Sequence, residues 1–294
     1  MAKKIAQKSA YIHLRDKWIE RHKGLQKNLF SKHKDALLWA GTTAKQVAVG
    51  SLGSLLFLAA PILPNLPTPP LQIESHAPLQ LDNTNLLIHG LADVLPKDVQ
   101  ELTPEQEQKT TQLLADHFGV MVYPELGGKR LNRSYGYIGQ EQHLMRYPGD
   151  TIDTHFGTSE EANLYADKGM APGRGAWGYF AYSQDAMTQE DTDREKYYIA
   201  VQTFLSKDFN QRVAEYRDFY KYRKMLVVNP ENGKAMVVVI GDAGPGDQTG
   251  KQLGGSPEVM KYLERVDGRQ KGPVLYFFID DKENKIPLGP IKAH

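Results

Sequence analysis

Asp242 stands just past an apolar run, Ala235–Ile240, and opens the loop Asp242-Ala243-Gly244-Pro245. Val237, Val239 and Ile240 surround it with apolar groups, which penalise a charge and raise a carboxyl pKa toward that of a general acid. A strand fixes the position of such a group, and a Gly-Pro loop leaves room for a substrate beside it. The competing reading is an Asp that caps its own Gly-Pro turn. A second set lies upstream, where His143, Asp150, Asp153 and His155 have the residue types of a hard or borderline metal site. Their spacing matches no ligand pattern, so neither a metal nor a cofactor is expected. Gly241–Gly255 is glycine-rich but lacks the order of a phosphate-binding loop, because Gln252 follows Gly250-Lys251. The chain has no cysteine, which excludes disulfides, thiolate zinc sites and a cysteine nucleophile.

The elements that must position Asp242 are legible around it. Met225–Val228 and Ala235–Ile240 are two β-runs joined through Asn229, Pro230, Glu231, Asn232 and Gly233. Asn-Gly between apolar runs predicts a hairpin, because its turn needs positive φ. Downstream, Ser256 as N-cap, Pro257 at the first helical position and Glu258 in the first turn predict a helix.

This order resembles the double-psi β-barrel of rare lipoprotein A and its expansin and barwin relatives. The matching residues are Val228, Asn229, Asn232, Gly233, Lys234, Val237, Val239, Asp242, Gly244, Pro245 and Ser256. The likeness extends more weakly to a closing strand, Pro273–Ile279, and to a first strand, Gly175–Tyr182. The resemblance implies that Asp242 is the residue linked to cutting peptidoglycan glycan strands. One carboxyl suffices for a lytic transglycosylase, in which the sugar's own hydroxyl attacks. The family also uses a histidine a little before the first of these strands. Here that place reads Glu215-Tyr216-Arg217-Asp218, which leaves His143 or Glu141 as the candidate partner across a groove. Hydrolysis with water would need a second carboxylate, for which Asp247, Asp185, Glu141 and Asp150 are candidates. Trp177 and Tyr179 are candidates for stacking on sugar rings, against the alternative that they fill the barrel core.

Further out, the chain is uneven in charge. It carries 36 Lys and Arg against 35 Asp and Glu, so nothing at that scale argues for nucleic acid. Met1–Lys45 is nevertheless strongly basic, with Asp16, Glu20 and Asp35 its only acidic residues. Val47–Leu63 has no charge and approaches the ~20 residues of a spanning helix. No Lys or Arg follows it until Lys97, which predicts a cytoplasmic N-terminus and an exported remainder. A buried soluble helix and a cleaved signal peptide compete with the anchor, but no small-residue cleavage site is clean. Pro61–Pro78 reads as an extended spacer. Thr103-Pro104 starts an amphipathic helix to about His117, and a short strand, Val120–Tyr123, follows. Leu131–Phe156 reads as loops and short strands, and Asp208 as the cap of a helix over Phe209–Tyr222.

The expected fold is therefore β-rich α+β. A six-stranded double-psi-like barrel over 173–294 follows a basic segment (1–45), a transmembrane anchor (46–66), a Pro-rich spacer (67–100) and a small mixed region (101–172). The expected protein is anchored in the cell membrane, faces outward and acts on peptidoglycan by acid/base cleavage of its glycan, with no nucleic-acid partner. A non-catalytic expansin-like binding or wall-tethering module is the first alternative. A structural envelope protein is the second.

Overall fold

In the computed structural model, which describes residues 83–265 and 272–294, the central apolar runs are strands buried on both faces. In chain order the elements begin with helices α1 (Asn83–Val94) and α2 (Pro104–Phe118). Strands β1 (Val122–Tyr123), β2 (Glu125–Leu126), β3 (Lys129–Arg130) and β4 (Tyr135–Gln140) follow. Next come α3 (Ile152–His155), α4 (Ser159–Tyr165), α5 (Gln189–Lys196), β5 (Tyr198–Val201) and α6 (Val213–Tyr220). The chain then runs through β6 (Lys224–Val228), β7 (Ala235–Ala243), β8 (Leu253–Gly255) and α7 (Pro257–Tyr262), ending with β9 (Gly272–Ile279) and β10 (Gly289–Ile291).

Six of these strands close a barrel. β6 pairs antiparallel with β7 on one side and with β9 on the other. β9 continues antiparallel to β4, which lies parallel to β8. β5 completes the ring, antiparallel to β8 and parallel to β7. Two further strands extend it, β1 along β9 and β10 along β7. The β6–β7 turn is held by its own side chains. Asn229 Oδ1 accepts from Glu231 N at 2.9 Å and Asn232 Oδ1 from Lys234 N at 3.0 Å.

Successive strand residues face opposite sides. Met225, Val227, Met236, Val238, Tyr276 and Phe278 meet Ile138, Ile199 and Leu253 inside the barrel. Their neighbours Leu226, Val228, Val237, Leu275 and Phe277 face outward, where Leu87 and Leu91 of α1 and Leu114 and Phe118 of α2 cover them. Each such side chain contributes roughly 1.5–3 kcal/mol by leaving water. Cover on both faces explains why β6, β7 and β9 read as continuous apolar runs rather than alternating ones. α2 is fixed at its start by a capping box, in which Thr103 and Gln106 satisfy each other's backbone N–H.

Several expectations change. Gly175–Tyr182 forms no strand; it turns at Gly178, whose N–H donates to Gly175 O at 2.9 Å, and Trp177 packs into the barrel interior. The first barrel strand is β4, within the stretch read as loops and short strands. Its sequence, Tyr-Gly-Tyr-Ile-Gly-Gln, lacks a continuous apolar run because the long side chain of Lys251 crosses Gly139, where a Cβ would sit 2.3 Å from Lys251 Cδ. The barrel thus starts before residue 173. The helix read over Phe209–Tyr222 is a single 3-10 turn, Phe209–Gln211, followed by α6. Asp208 takes φ +58° there and makes no side-chain cap. Asn83–Val94, within the stretch read as spacer, is helix α1. The basic segment and the transmembrane anchor lie outside the described residues. Among the described residues no helix is long and apolar enough to cross a membrane.

Candidate functional site

Asp242 sits near the end of β7, where the barrel wall gives way to the Gly-Pro loop. Its Oδ1 accepts two backbone hydrogen bonds, from Ala176 N at 2.6 Å and Ala243 N at 2.8 Å. Oδ2 has no hydrogen bond among the described residues. Burial raises the carboxyl pKa, against the pull of those two N–H groups. The 175–178 turn is pinned over this strand end, since Trp177 Nε1–H donates to Ile240 O at 3.0 Å.

A second polar group is buried between β4 and α5. His143, three residues beyond β4, is tied by its backbone to Gly169 and Ala171. Its ring is wholly buried, with Nδ1 3.5 Å from Glu195 Oε1 but without hydrogen-bond geometry. His155, the last residue of α3, has Nδ1 3.0 Å from Asp150 Oδ2 and Nε2 3.1 Å from Glu195 Oε2. Arg146 donates to Asp150 from its backbone N and Nε at 3.0 Å and from Nη2 at 3.2 Å. Leu144 N donates to Glu195 Oε1 at 3.0 Å. The His143 and His155 rings lie 4.7 Å apart.

Opposite charges hold this cluster together against burial. Burial disfavours a charged His155, but hydrogen bonds to Asp150 and Glu195 outweigh it and raise the imidazole to about 9. Burial likewise opposes ionisation of Glu195, yet the two histidines bring it down to about 2. Burial works against Asp150 too, and His155 and Arg146 hold it well below the carboxylate range. At neutral pH the cluster balances Arg146 and protonated His155 against Asp150 and Glu195. A pocket of about 310 Å³ opens on His155 and Glu195 and is also lined by Arg146, Phe156, Lys196 and Glu258. Burial and the Glu195 charge push Glu258 up to about 7, and its Oε2 is buried without a partner.

The residues singled out in the sequence are dispersed among these places. Asp150 and His143 meet in the buried cluster. Glu141 pairs with Lys251 Nζ at 3.1 Å at the barrel surface. Asp247 accepts from Gln202 Nε2 at 2.9 Å. Trp177 belongs to the interior, and half-buried Tyr179 lies 5.8 Å below the Arg174 guanidinium. Among the described residues no hydrogen bond joins Asp242 to Glu141 or His143. Buried Tyr198, whose hydroxyl donates to Gln142 O, has its pKa raised by burial and by the charges of Glu195, Glu141, Asp242 and Glu258.

Glu195 and Glu258 carry no sequence signal of this role. Glu195 lies in Gln-Glu-Asp-Thr-Asp-Arg-Glu-Lys, which reads as a solvated helix, and Glu258 looks like an ordinary first-turn acid. Comparison with protein-family models, curated proteins and solved structures finds no match for this chain.

Proposed function

We propose that this is a membrane-anchored, extracytoplasmic protein that cleaves cell-wall glycan strands, with Asp242 as the acid/base. Its barrel is taken as the double-psi kind. The order of hairpin, Asp-x-Gly-Pro loop and Ser-Pro helix supports this, together with the two parallel pairs β5–β7 and β4–β8. The observation that carries the reading is the asymmetry of the Asp242 carboxyl. Oδ1 is committed to two N–H donors, so when the carboxyl is protonated the proton sits on Oδ2, which has no hydrogen-bond partner among the described residues. Partial burial keeps that proton on at higher pH than in a free Asp.

In the chemistry that follows, Oδ2–H protonates the glycosidic oxygen as the anomeric C–O bond breaks. The ionised carboxylate then takes the proton of the same sugar's hydroxyl as that oxygen closes on the anomeric carbon. The products are an anhydro-sugar end and a free hydroxyl end, with no water consumed. The two N–H donors stabilise the carboxylate formed midway.

Incubating the protein with peptidoglycan should release anhydro-sugar ends detectable by mass spectrometry. Asp242→Asn should lower that release ~10²- to 10⁴-fold, the usual effect of removing a general acid/base. The melting temperature should stay within a few degrees, since the amide oxygen still accepts both N–H bonds. Equal cleavage by the variant would overturn the assignment. The two N–H bonds at Oδ1 also suit a non-catalytic glycan-binding module in which Asp242 orders the 175–178 turn. That reading wins if both proteins bind glycan and neither cleaves it.

A further inference from the structure

His143 is fully buried, and neither of its ring nitrogens has a hydrogen-bond partner among the described residues. Buried polar atoms are nearly always satisfied, and an imidazole offers two of them. An unpartnered nitrogen on this ring, beside a buried carboxylate and a second histidine, points to a ligand that the polypeptide does not supply. We infer that His143, His155 and Glu195 bind a divalent first-row transition-metal ion of the zinc class.

The fold already gathers the donors for that ion. One donor atom from each residue lies within 4.8 Å of the others, and all three residues are buried. The His155–Glu195 and His143–Glu195 contacts are 3.1 and 3.5 Å. Tetrahedral zinc ligands at ~2.0–2.1 Å from the ion stand ~3.3 Å from one another, so these two contacts, one to each Glu195 oxygen, are near the required spacing. The full set, within 4.8 Å, has to draw in around the ion. Two imidazoles and a carboxylate are also a donor set that zinc accepts.

The surroundings of His155 strengthen the assignment. Asp150 takes the Nδ1 side of the ring and thereby turns Nε2 toward Glu195 and His143. A metal-binding histidine is oriented in the same way by a carboxylate on its far nitrogen. Asp150 is itself fixed by three hydrogen bonds from Arg146. The pocket that opens on His155 and Glu195 leaves a further coordination position to water or to an oxygen of a small ligand. None of this depends on the role of Asp242.

The test uses the whole chain, purified without a histidine tag, stripped with a chelator and then given Zn²⁺ alone. About one ion per chain should bind, by elemental analysis, and the melting temperature should rise with Zn²⁺ concentration. Co²⁺ in its place should give the visible absorption of a tetrahedral site. His143→Leu removes the unpartnered nitrogens while keeping an apolar fill, so it should melt in chelator at or above the wild type yet lose the Zn²⁺-dependent rise. Asp150→Asn should weaken binding ~10- to 100-fold without abolishing it. If His143→Leu fails to fold, the wild-type Co²⁺ spectrum decides alone. No bound ion and no thermal shift in the wild type would overturn the inference, as would an undiminished shift in a folded His143→Leu.

Discussion

Glu258 holds a proton that an ordinary glutamate would have lost, and this makes its effect on stability readable by pH. Its pKa in the folded chain is about 7, against 4.5 for a free side chain, through burial and the facing charge of Glu195, with His143 and Lys196 opposing. The folded state therefore binds this proton more tightly than the unfolded one. The stability it contributes is complete below pH ~4.5 and is lost as pH rises through ~7, a change of about 3 kcal/mol. Glu258→Gln should match the wild type near pH 4.5 and exceed it near pH 8, measured by urea unfolding in chelator. His155 is present in both proteins, so its own titration drops out of the difference. Parallel pH profiles for the two proteins would show that Glu258 is not the titrating group. The sequence shows part of this site. His143, Asp150 and His155 are visible as suitable residue types within one short stretch. Glu195 and Glu258 are not, because α5 and α7 bring them in from 40 or more residues away, which no local spacing records.

The elements that could be read in advance are those fixed by local chemistry. β6 and β7 are announced by Asn-Gly, α2 by Thr103-Pro104 and Gln106, and α7 by Ser256-Pro257. β4 and β5 are not, because one is interrupted by Gly136 and Gly139 and the other is only four residues long. α1 is hidden too, since Asn83–Val94 has no acidic first turn and no basic last turn to mark its ends. Its packing on the hairpin can be tested at Gly233, which has φ +69°. A Cβ there would lie 2.7 Å from Thr84 Cγ2 in α1. Gly128, in the β2–β3 turn, has φ +70° but nothing within 4 Å of such a Cβ. Ala at either site meets the left-handed strain of ~1–2 kcal/mol, and only Gly233→Ala adds the collision with α1. Urea unfolding should therefore show Gly233→Ala as the more destabilised. Equal losses would mean that α1 gives way freely.

At the scale of the molecule, the barrel and the helices on its outside form one folding unit, because α1 and α2 cover strand faces that would otherwise be apolar surface. The N-terminal boundary of that unit then lies before α1 and not at its end. A chain beginning at Leu81 retains Leu87 and Leu91, both with no exposed surface, over Leu226, Val228 and Val237. A chain beginning at Lys97 lacks them and exposes that patch. Removing a single buried leucine side chain typically costs ~2–5 kcal/mol, and domains of this kind have only ~5–15 kcal/mol in all. The chain from Leu81 should melt in one cooperative transition. The chain from Lys97 should melt far lower or lose its transition, and bind a hydrophobic dye. A Lys97 chain that melts within a few degrees of the longer one would show that α1 is an accessory to the barrel, and the boundary would move to α2.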